Sequence, residues 1–231
     1  MKYKSVVKGI FVSRPNRFIA IVEIDGFKET VHVKNTGRCK ELLVEGAVVY
    51  LSLSDNPARK TKYDLIAVEK ITDRGNLLIN MDSQIPNDVA VEWLRGSSLF
   101  SENAVIKREV FYGKSRFDIF VEDGDRRVFL EVKGVTLEND GIASFPDAPT
   151  ERGIKHLNEL VSAVKDGYEA YVLFIIQMKG VNLFTPNRER HPQFADALLN
   201  AYNNGVRIIA LDSFVNENSI VADNNITIKL E

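Results

Sequence analysis

The chain has 231 residues, of which 45% are hydrophobic and 27% are charged. These fractions are close to the averages of soluble globular proteins and argue against disordered, collagen-like and membrane classes, while the length allows one large domain or two small ones. The net charge is −2, which alone gives no indication of nucleic acid, but it is unevenly distributed. Residues 1–80 carry 14 basic and 9 acidic side chains, a net of +5, whereas residues 81–231 carry 16 and 23, a net of −7.

The first eighty residues alternate short apolar runs with turn residues, including an Asp25-Gly26 pair that is typical of a β-hairpin. They predict five strands, with a short helix between the third and the fourth. The expected strands are 5–13, 18–24, 28–34, 47–54 and 63–71, and the expected helix is 38–44. This order predicts a five-stranded OB-fold-like β-barrel over residues 1–80.

A polar stretch at residues 75–88 is interpreted as the domain boundary, placed at 80/81. The second domain, residues 81–231, is expected to be an α/β (α+β) structure with a mixed sheet flanked by helices. Its predicted helices are 89–94, 150–165 and 193–203, and its predicted strands are 105–112, 116–121, 126–135, 168–178 and 206–211. The turn Asp123-Gly124-Asp125 joins two of these strands as a hairpin.

Localisation is predicted from the cysteine content and the apolar runs. A single cysteine, Cys39, excludes an internal disulfide and fits a reducing compartment. The start of the chain has no apolar segment typical of a signal peptide, and the apolar run Val172–Ile176 is far shorter than the ~20 residues of a membrane span. We therefore expect a cytoplasmic protein without a membrane partner.

The predicted hairpin in the second domain carries a chemically informative group of side chains. Because side chains alternate along a strand, Glu131 and Lys133 share a face, and Arg116 and Asp118 share a face on the partner strand. Folding at Gly124 brings Asp118 beside Glu131. Two carboxylates can bind Mg²⁺ or Mn²⁺, and a nearby lysine can stabilise charge on a phosphoryl group. The alternative is an ordinary cross-strand ladder of ion pairs, although the apolar flanks indicate a core strand.

The predicted helix 150–165 places a polar stripe after this hairpin. Arg152, Lys155, His156 and Glu159 follow helical spacing and lie on one face, and Thr150 is a candidate N-cap. We interpret the basic members, together with Arg116, as residues that hold a phosphate or a nucleic-acid strand. The alternative is a solvated helix face.

Cations in the first domain are candidates for nucleic-acid contacts, and the alternative for those of the 59–62 loop is a solubilising role. The aromatic residues Phe11, Phe18, Phe27 and Tyr63 are candidates for base stacking or for the barrel core. The candidate cations are Arg14, Arg17, Lys34, Arg38, Lys40, Arg59, Lys60 and Lys62.

The pattern D-x(12)-E-x-K resembles the PD-(D/E)XK nuclease superfamily. The segments 115–136 and 145–157, with the motif Asn35-Thr36-Gly37, resemble the sugar fermentation stimulation protein (SfsA) family. This resemblance implies an OB-like nucleic-acid-binding domain followed by a nuclease-like domain, DNA binding, and a link to maltose utilisation in bacteria. By position, it makes Asp118 and Glu131 metal ligands and Lys133 the catalytic lysine.

Two functional hypotheses follow. The first is a Mg²⁺- or Mn²⁺-dependent nuclease that acts on DNA, and the second is a non-enzymatic DNA-binding regulator of sugar metabolism whose nuclease-like domain is structural. Many members of the superfamily add an upstream acid, for which Glu92 and Glu109 are both candidates. The sequence leaves open whether the DNA is single- or double-stranded and whether the protein forms a homodimer.

Overall fold

The computed structural model describes residues 1–35, 37–54, 56 and 58–231. Thr36, the central residue of the 35–37 motif, lies outside the described residues. The chain forms two compact units. The first comprises Met1–Ile85, Gln177–Gly180 and Ser213–Val221, and the second comprises the remaining segments. The structural division thus differs from the predicted one at 80/81 by five residues and by two later segments that join the first unit.

The first unit is an OB-like barrel. Its strands are β1 (Val6–Asn16), β2 (Ile19–Ile24), β3 (Phe27–Val33), β4 (Val48–Leu53), β5 (Tyr63–Thr72) and β6 (Gly75–Asn80). The sheet order is β3-β2-β1-β4-β5-β6, and a parallel pairing of β3 with β5 closes the five predicted strands on themselves. Val22, Val31, Val49 and Leu65 are fully buried inside, which is the core that the alternating pattern predicts.

Two features of this unit differ from the expectation. The segment 38–44 is a turn and not a helix, because Cys39 has a φ of 44°, which a right-handed helix does not allow. Leu42 and Leu43 donate backbone hydrogen bonds to the carbonyl of Cys39 and are buried. Residues 75–80, assigned to the boundary by their polarity, form the sixth strand, in which the buried Asn80 donates to the Tyr3 hydroxyl at 3.0 Å.

The second unit contains most of a mixed sheet flanked by helices, as predicted. Its helices are α1 (Ile85–Gly96), α2 (Glu151–Lys165) and α3 (Pro192–Asn203). The strands of the large sheet are β7 (Val105–Tyr112), β8 (Ser115–Asp123), β9 (Arg126–Val135), β12 (Glu169–Ile176), β14 (Arg207–Asn216) and β15 (Ser219–Asn225). Their order is β15-β14-β12-β9-β8-β7. The central β9 is antiparallel to β8 and parallel to β12.

A small second sheet in this unit was not predicted. It consists of β10 (Leu137–Asn139), β11 (Ile142–Phe145), β13 (Leu183–Pro186) and β16 (Thr227–Ile228), in the order β10-β11-β13-β16. These strands have two to four residues each, too few for a periodic pattern to appear in the sequence. None of the three helices in the described chain is long and apolar enough to cross a membrane.

Candidate functional site

The hairpin of β8 and β9 brings Asp118 beside Glu131. The pairing of Ile119 with Leu130 is the last one in the ladder between these two strands. Beyond it, the Asp118 carboxylate accepts a hydrogen bond at 2.8 Å from the backbone N–H of Val132, so the side chain replaces a strand partner. Its other oxygen accepts from Asn87 Nδ2 of α1 at 3.1 Å. Asp118 is therefore held at the end of the ladder by two neutral donors.

Glu131 lies at the centre of the site and is only 3% exposed. Its Oε1 accepts from Lys133 Nζ at 2.5 Å and from Nδ1 of His156 on α2. Its Oε2 is buried and has no hydrogen-bond partner in the described part of the chain. A buried carboxylate oxygen without a partner is costly. Glu131 thus has one satisfied oxygen and one free to take a ligand.

The two neighbouring carboxyl groups are perturbed in opposite directions. Burial and then the charge of Glu131 raise the pKa of Asp118, and the donors on Asp118 do not outweigh them. Burial also acts to raise the pKa of Glu131, but the hydrogen bond from His156 and the charge of Lys133 outweigh it, so that this pKa is lowered. Such a divergence between adjacent acids is typical of functional sites.

The donor set fits a hard divalent cation, although the cluster is small. Among the described residues, no group of three or more His, Cys, Asp or Glu side chains is arranged to hold a metal ion. Asp118 and Glu131 supply two carboxylates, and Mg²⁺ is commonly held by one or two carboxylates with water and phosphate completing the shell. The unpartnered Oε2 of Glu131 is the observation in favour of this fit.

The candidates for an upstream acid occupy other positions. Glu92 is exposed on α1. Glu109 is exposed on β7, where its φ of 57° marks an irregularity in the strand, and it lies 3.5 Å from Arg116. The polar side chain that α1 directs to Asp118 is that of Asn87. Sequence reasoning missed Asn87, which stands in the polar stretch 75–88 that was interpreted as the boundary.

A basic cavity of about 510 Å³ lies at the β7–β8 turn, next to α2. It brings together the three cations and the histidine that are predicted to bind phosphate in this unit, one of them from β8 and the other three residues from α2. The lining residues are Arg116, Arg152, Lys155 and His156, together with Phe111, Lys114, Ser115 and Glu151. The four predicted residues thus line one cavity, and Phe111, Lys114, Ser115 and Glu151 are additional to them.

The polar stripe of α2 divides into residues with different surroundings. Thr150 caps the helix, since its Oγ1 accepts from the Gly153 N–H at 3.0 Å, as predicted. His156 is buried, whereas Arg152 and Lys155 are exposed. Arg152 Nε, which can only donate, lies 3.4 Å from Nε2 of His156. The acceptor role of Nε2 leaves the proton on Nδ1, which donates to Glu131.

The predicted cations of the first unit fall into two groups. Lys34 and Arg59 form ion pairs with the buried Asp64, at 3.4 and 2.7 Å, and Lys34 also lies 3.4 Å from the buried Asp82. These two cations are therefore engaged inside the unit. Lys60 and Lys62 are exposed on the loop before β5, and Lys62 Nζ lies 5.0 Å from the centre of the Tyr63 ring.

The remaining four cations meet at a second cavity, of about 300 Å³. It is lined by Arg14, Arg17, Arg38 and Lys40, with Asn16 and Leu43. The guanidinium of Arg14 donates to the carbonyls of Arg17, Asn35 and Arg38 at 2.6–2.7 Å, so this residue organises the loops around the cavity. Of the aromatic candidates, Phe11 and Tyr63 are buried, whereas Phe18 and Phe27 are exposed.

The chain is similar to one family of proteins over most of its length. The family model described as "Sugar fermentation stimulation protein RE domain" matches residues 84–219, and that described as "SfsA N-terminal OB domain" matches residues 12–78. The sugar fermentation stimulation protein homologue of Desulfitobacterium hafniense strain Y51 is 58% identical over 230 residues, covering 100% of this chain and 99% of the relative. That of Ruminiclostridium cellulolyticum is 54% identical, covering 100% of both.

A solved structure agrees with the fold. The SfsA protein of Pyrococcus furiosus in complex with Ca²⁺ superimposes with a TM-score of 0.85 at 28% sequence identity, covering 99% of this chain and 98% of that one. The family models together span most of the chain, and the relatives match it over nearly their full length. The chain therefore belongs to the sugar fermentation stimulation protein (SfsA) family.

Proposed function

We propose that this protein binds DNA and cleaves it at a divalent-metal site formed by Asp118 and Glu131, with Lys133 as the catalytic lysine. The observation that carries the proposal is the buried Oε2 of Glu131, which has no hydrogen-bond partner among the described residues. Glu131 lies beside Asp118, and its Oε1 is 2.5 Å from the ammonium nitrogen of Lys133. The Ca²⁺ complex of the archaeal relative supports it, because Ca²⁺ and Mg²⁺ are both hard cations that take oxygen ligands.

Each residue has a definable part in this chemistry. Asp118 and Glu131 would hold the cation, and a bound divalent cation supplies positive charge and Lewis acidity to a phosphodiester. Lys133, whose side chain is 16% exposed, can turn its ammonium to a phosphoryl oxygen or to the attacking water. Asn87 and the Val132 N–H hold the Asp118 carboxylate in place. His156 does the same for Glu131.

The basic side chains that line the two cavities can bind the phosphates of a nucleic-acid strand. The cavity near the hairpin offers Arg116, Arg152 and Lys155 to the phosphates of a strand beside the acidic pair. In the first unit, Arg17, Arg38 and Lys40 have no ion pair with an acid of the described residues, and they are available to a second stretch of backbone. The net charge of −7 over residues 81–231 does not oppose binding, since the contacts are local.

The test is cleavage of end-labelled single- and double-stranded DNA of the same sequence, with Mg²⁺, with Mn²⁺ or with EDTA. We expect cleavage with either metal, none with EDTA, and a loss of at least about 100-fold in Lys133→Ala. Lys107→Ala is the matched control, because Lys107 also forms a 2.5 Å ion pair, with Glu122, on an exposed part of the same sheet.

Two outcomes would count against the nuclease. Equal cleavage by wild type and Lys133→Ala would remove the lysine from the mechanism. DNA binding without metal-dependent cleavage would favour the second hypothesis, in which the domain serves a non-enzymatic regulator.

A further inference from the structure

Phe111 is an aromatic side chain on the surface of the second unit, 71% exposed on β7. It lines the basic cavity of 510 Å³. It is paired across the strands with Arg116, so the two side chains lie on the same face of the sheet. Its neighbour Tyr112 points to the other face of β7, where it is partly buried against Phe117 and Phe129. Phe111, in contrast, lies on the face that is open to solvent. An exposed ring beside a cation is the arrangement that holds a nucleobase and its phosphate.

The cations around this ring are available to a ligand. Arg116 makes an exposed ion pair with Glu109 at 3.5 Å, and such pairs contribute little in water. Lys155 is exposed, and its Nζ lies 3.8 Å from the half-buried Glu159 and 3.4 Å from the Lys114 carbonyl oxygen, both of them long contacts. Lys114 stands in the turn beside Phe111. One acid, Glu151, lines the same cavity, and its side chain is 89% exposed. The balance of the lining charges favours a phosphate.

A buried hydroxyl in the cavity lining also lacks a partner. Ser115 is 3% exposed, and its Oγ has no hydrogen-bond partner among the described residues. A buried hydroxyl is ordinarily satisfied by protein or by ligand. Because Ser115 pairs with Tyr112 whereas Arg116 pairs with Phe111, this hydroxyl lies on the opposite face of the strand from the ring and is not part of the stacking surface.

We infer that this cavity binds an unstacked nucleobase on Phe111 and the adjoining phosphates on Arg116 and Lys155, so that the DNA taken at the site is single-stranded. The inference rests on the nucleic-acid-binding part of the proposed function and adds the class of substrate. The physical reason is that the bases of a duplex are stacked on one another and would have to leave the helix to reach the ring. A single strand offers its bases without that cost.

The test is fluorescence anisotropy of a labelled 12-nucleotide DNA strand and of its blunt duplex, with full-length protein in EDTA. Stacking of one base predicts about tenfold weaker binding of the single strand by Phe111→Ala. Phe111→Trp should retain the affinity, whereas Phe111→Leu, which keeps apolar bulk without a π-face, should lose it. Duplex binding should not change. Phe214→Ala, at another exposed phenylalanine, is the matched control.

The outcomes separate this inference from the nuclease assignment. Wild-type affinity of Phe111→Leu for the single strand would overturn the stacking, as would an equal loss on both forms of DNA. A selective loss in a protein that never cleaves would keep the stacking site and remove the nuclease. Cleavage by wild type together with unchanged binding by Phe111→Ala would remove the stacking site alone. A failure of the wild type to bind either form would remove both.

Discussion

Replacing Asp64 with asparagine should destabilise the first unit by about 2 kcal/mol at pH 7. Asp64 is 5% exposed and accepts from both terminal nitrogens of Arg59, at 2.7 and 3.0 Å, while its Oδ1 also contacts His32 Nδ1 at 2.9 Å. Burial acts to raise its pKa, but these hydrogen bonds and the charge of Lys34 lower the pKa to about 2. A carboxyl whose pKa falls from about 3.8 to about 2 on folding contributes about 2 kcal/mol when ionised.

The pH window follows from the sign of that shift. Because the pKa is lower in the folded state, the contribution is complete above about pH 4 and is lost as the pH falls towards 2. The wild type should therefore lose about 2 kcal/mol more than Asp64→Asn over this range. The difference between the two proteins separates Asp64 from carboxyls that it does not contact; Asp82 is not among these, because its pKa is raised by burial and, to a smaller extent, by the charge of Asp64.

Hydrogen exchange of backbone amides in β3 and β5 reports on this unit directly. At pH 7, about 2 kcal/mol corresponds to exchange roughly 30-fold faster in the variant. Glu122→Gln, which removes the exposed ion pair with Lys107, is the control and should change stability by less than about 1 kcal/mol. Exchange in Asp64→Asn at the wild-type rate, or a variant with the same loss towards pH 2, would refute this account of the Arg59–Asp64 pair.

Three further changes test the sites. Asn87→Ala removes a donor from the Asp118 carboxylate and should weaken Ca²⁺ binding about tenfold, measured by isothermal titration calorimetry; unchanged affinity would remove Asn87 from the site. The double variant Arg17→Ala/Arg38→Ala should reduce the slope of log K against log salt by about 2 for duplex DNA, and a slope equal to that of wild type would exclude phosphate contacts there. Thr150→Ala should lower the thermal unfolding temperature by an amount equivalent to about 1 kcal/mol, and an unchanged midpoint would show that the cap is replaced.

The sequence predicted the hairpin and the juxtaposition of its polar residues because the determinants of both are local. The alternation of side chains and the turn at Gly124 determine which residues of β8 and β9 face one another. The strands 105–112 and 126–135 were predicted with the bounds that the structure has. The register of the hairpin alone predicts that Asp118 lies beside Glu131 and Lys133, and no information about the helices is needed.

Contacts between distant elements could not be predicted in this way. Glu131 accepts a hydrogen bond from His156, 25 residues away on α2, and Asp118 from Asn87, 31 residues away on α1. The helical spacing placed His156 correctly in a polar stripe but could not tell that this position is buried. Whether a helical residue is buried depends on how the helix packs against its neighbours. The period of 3.6 residues does not determine this for a position, such as that of His156, at the border between the polar and the apolar face.

The division of charge between the two halves of the chain requires a similar refinement. The excess of cations in residues 1–80 includes Lys34 and Arg59, which are paired with the buried Asp64 and stabilise the first unit. The acidic half places Arg116 and Lys155 around one cavity next to Glu131. Since a phosphate responds to the charges within a Debye length of about 8–10 Å, the arrangement at each cavity, and not the total of each half, determines where a nucleic-acid strand can bind.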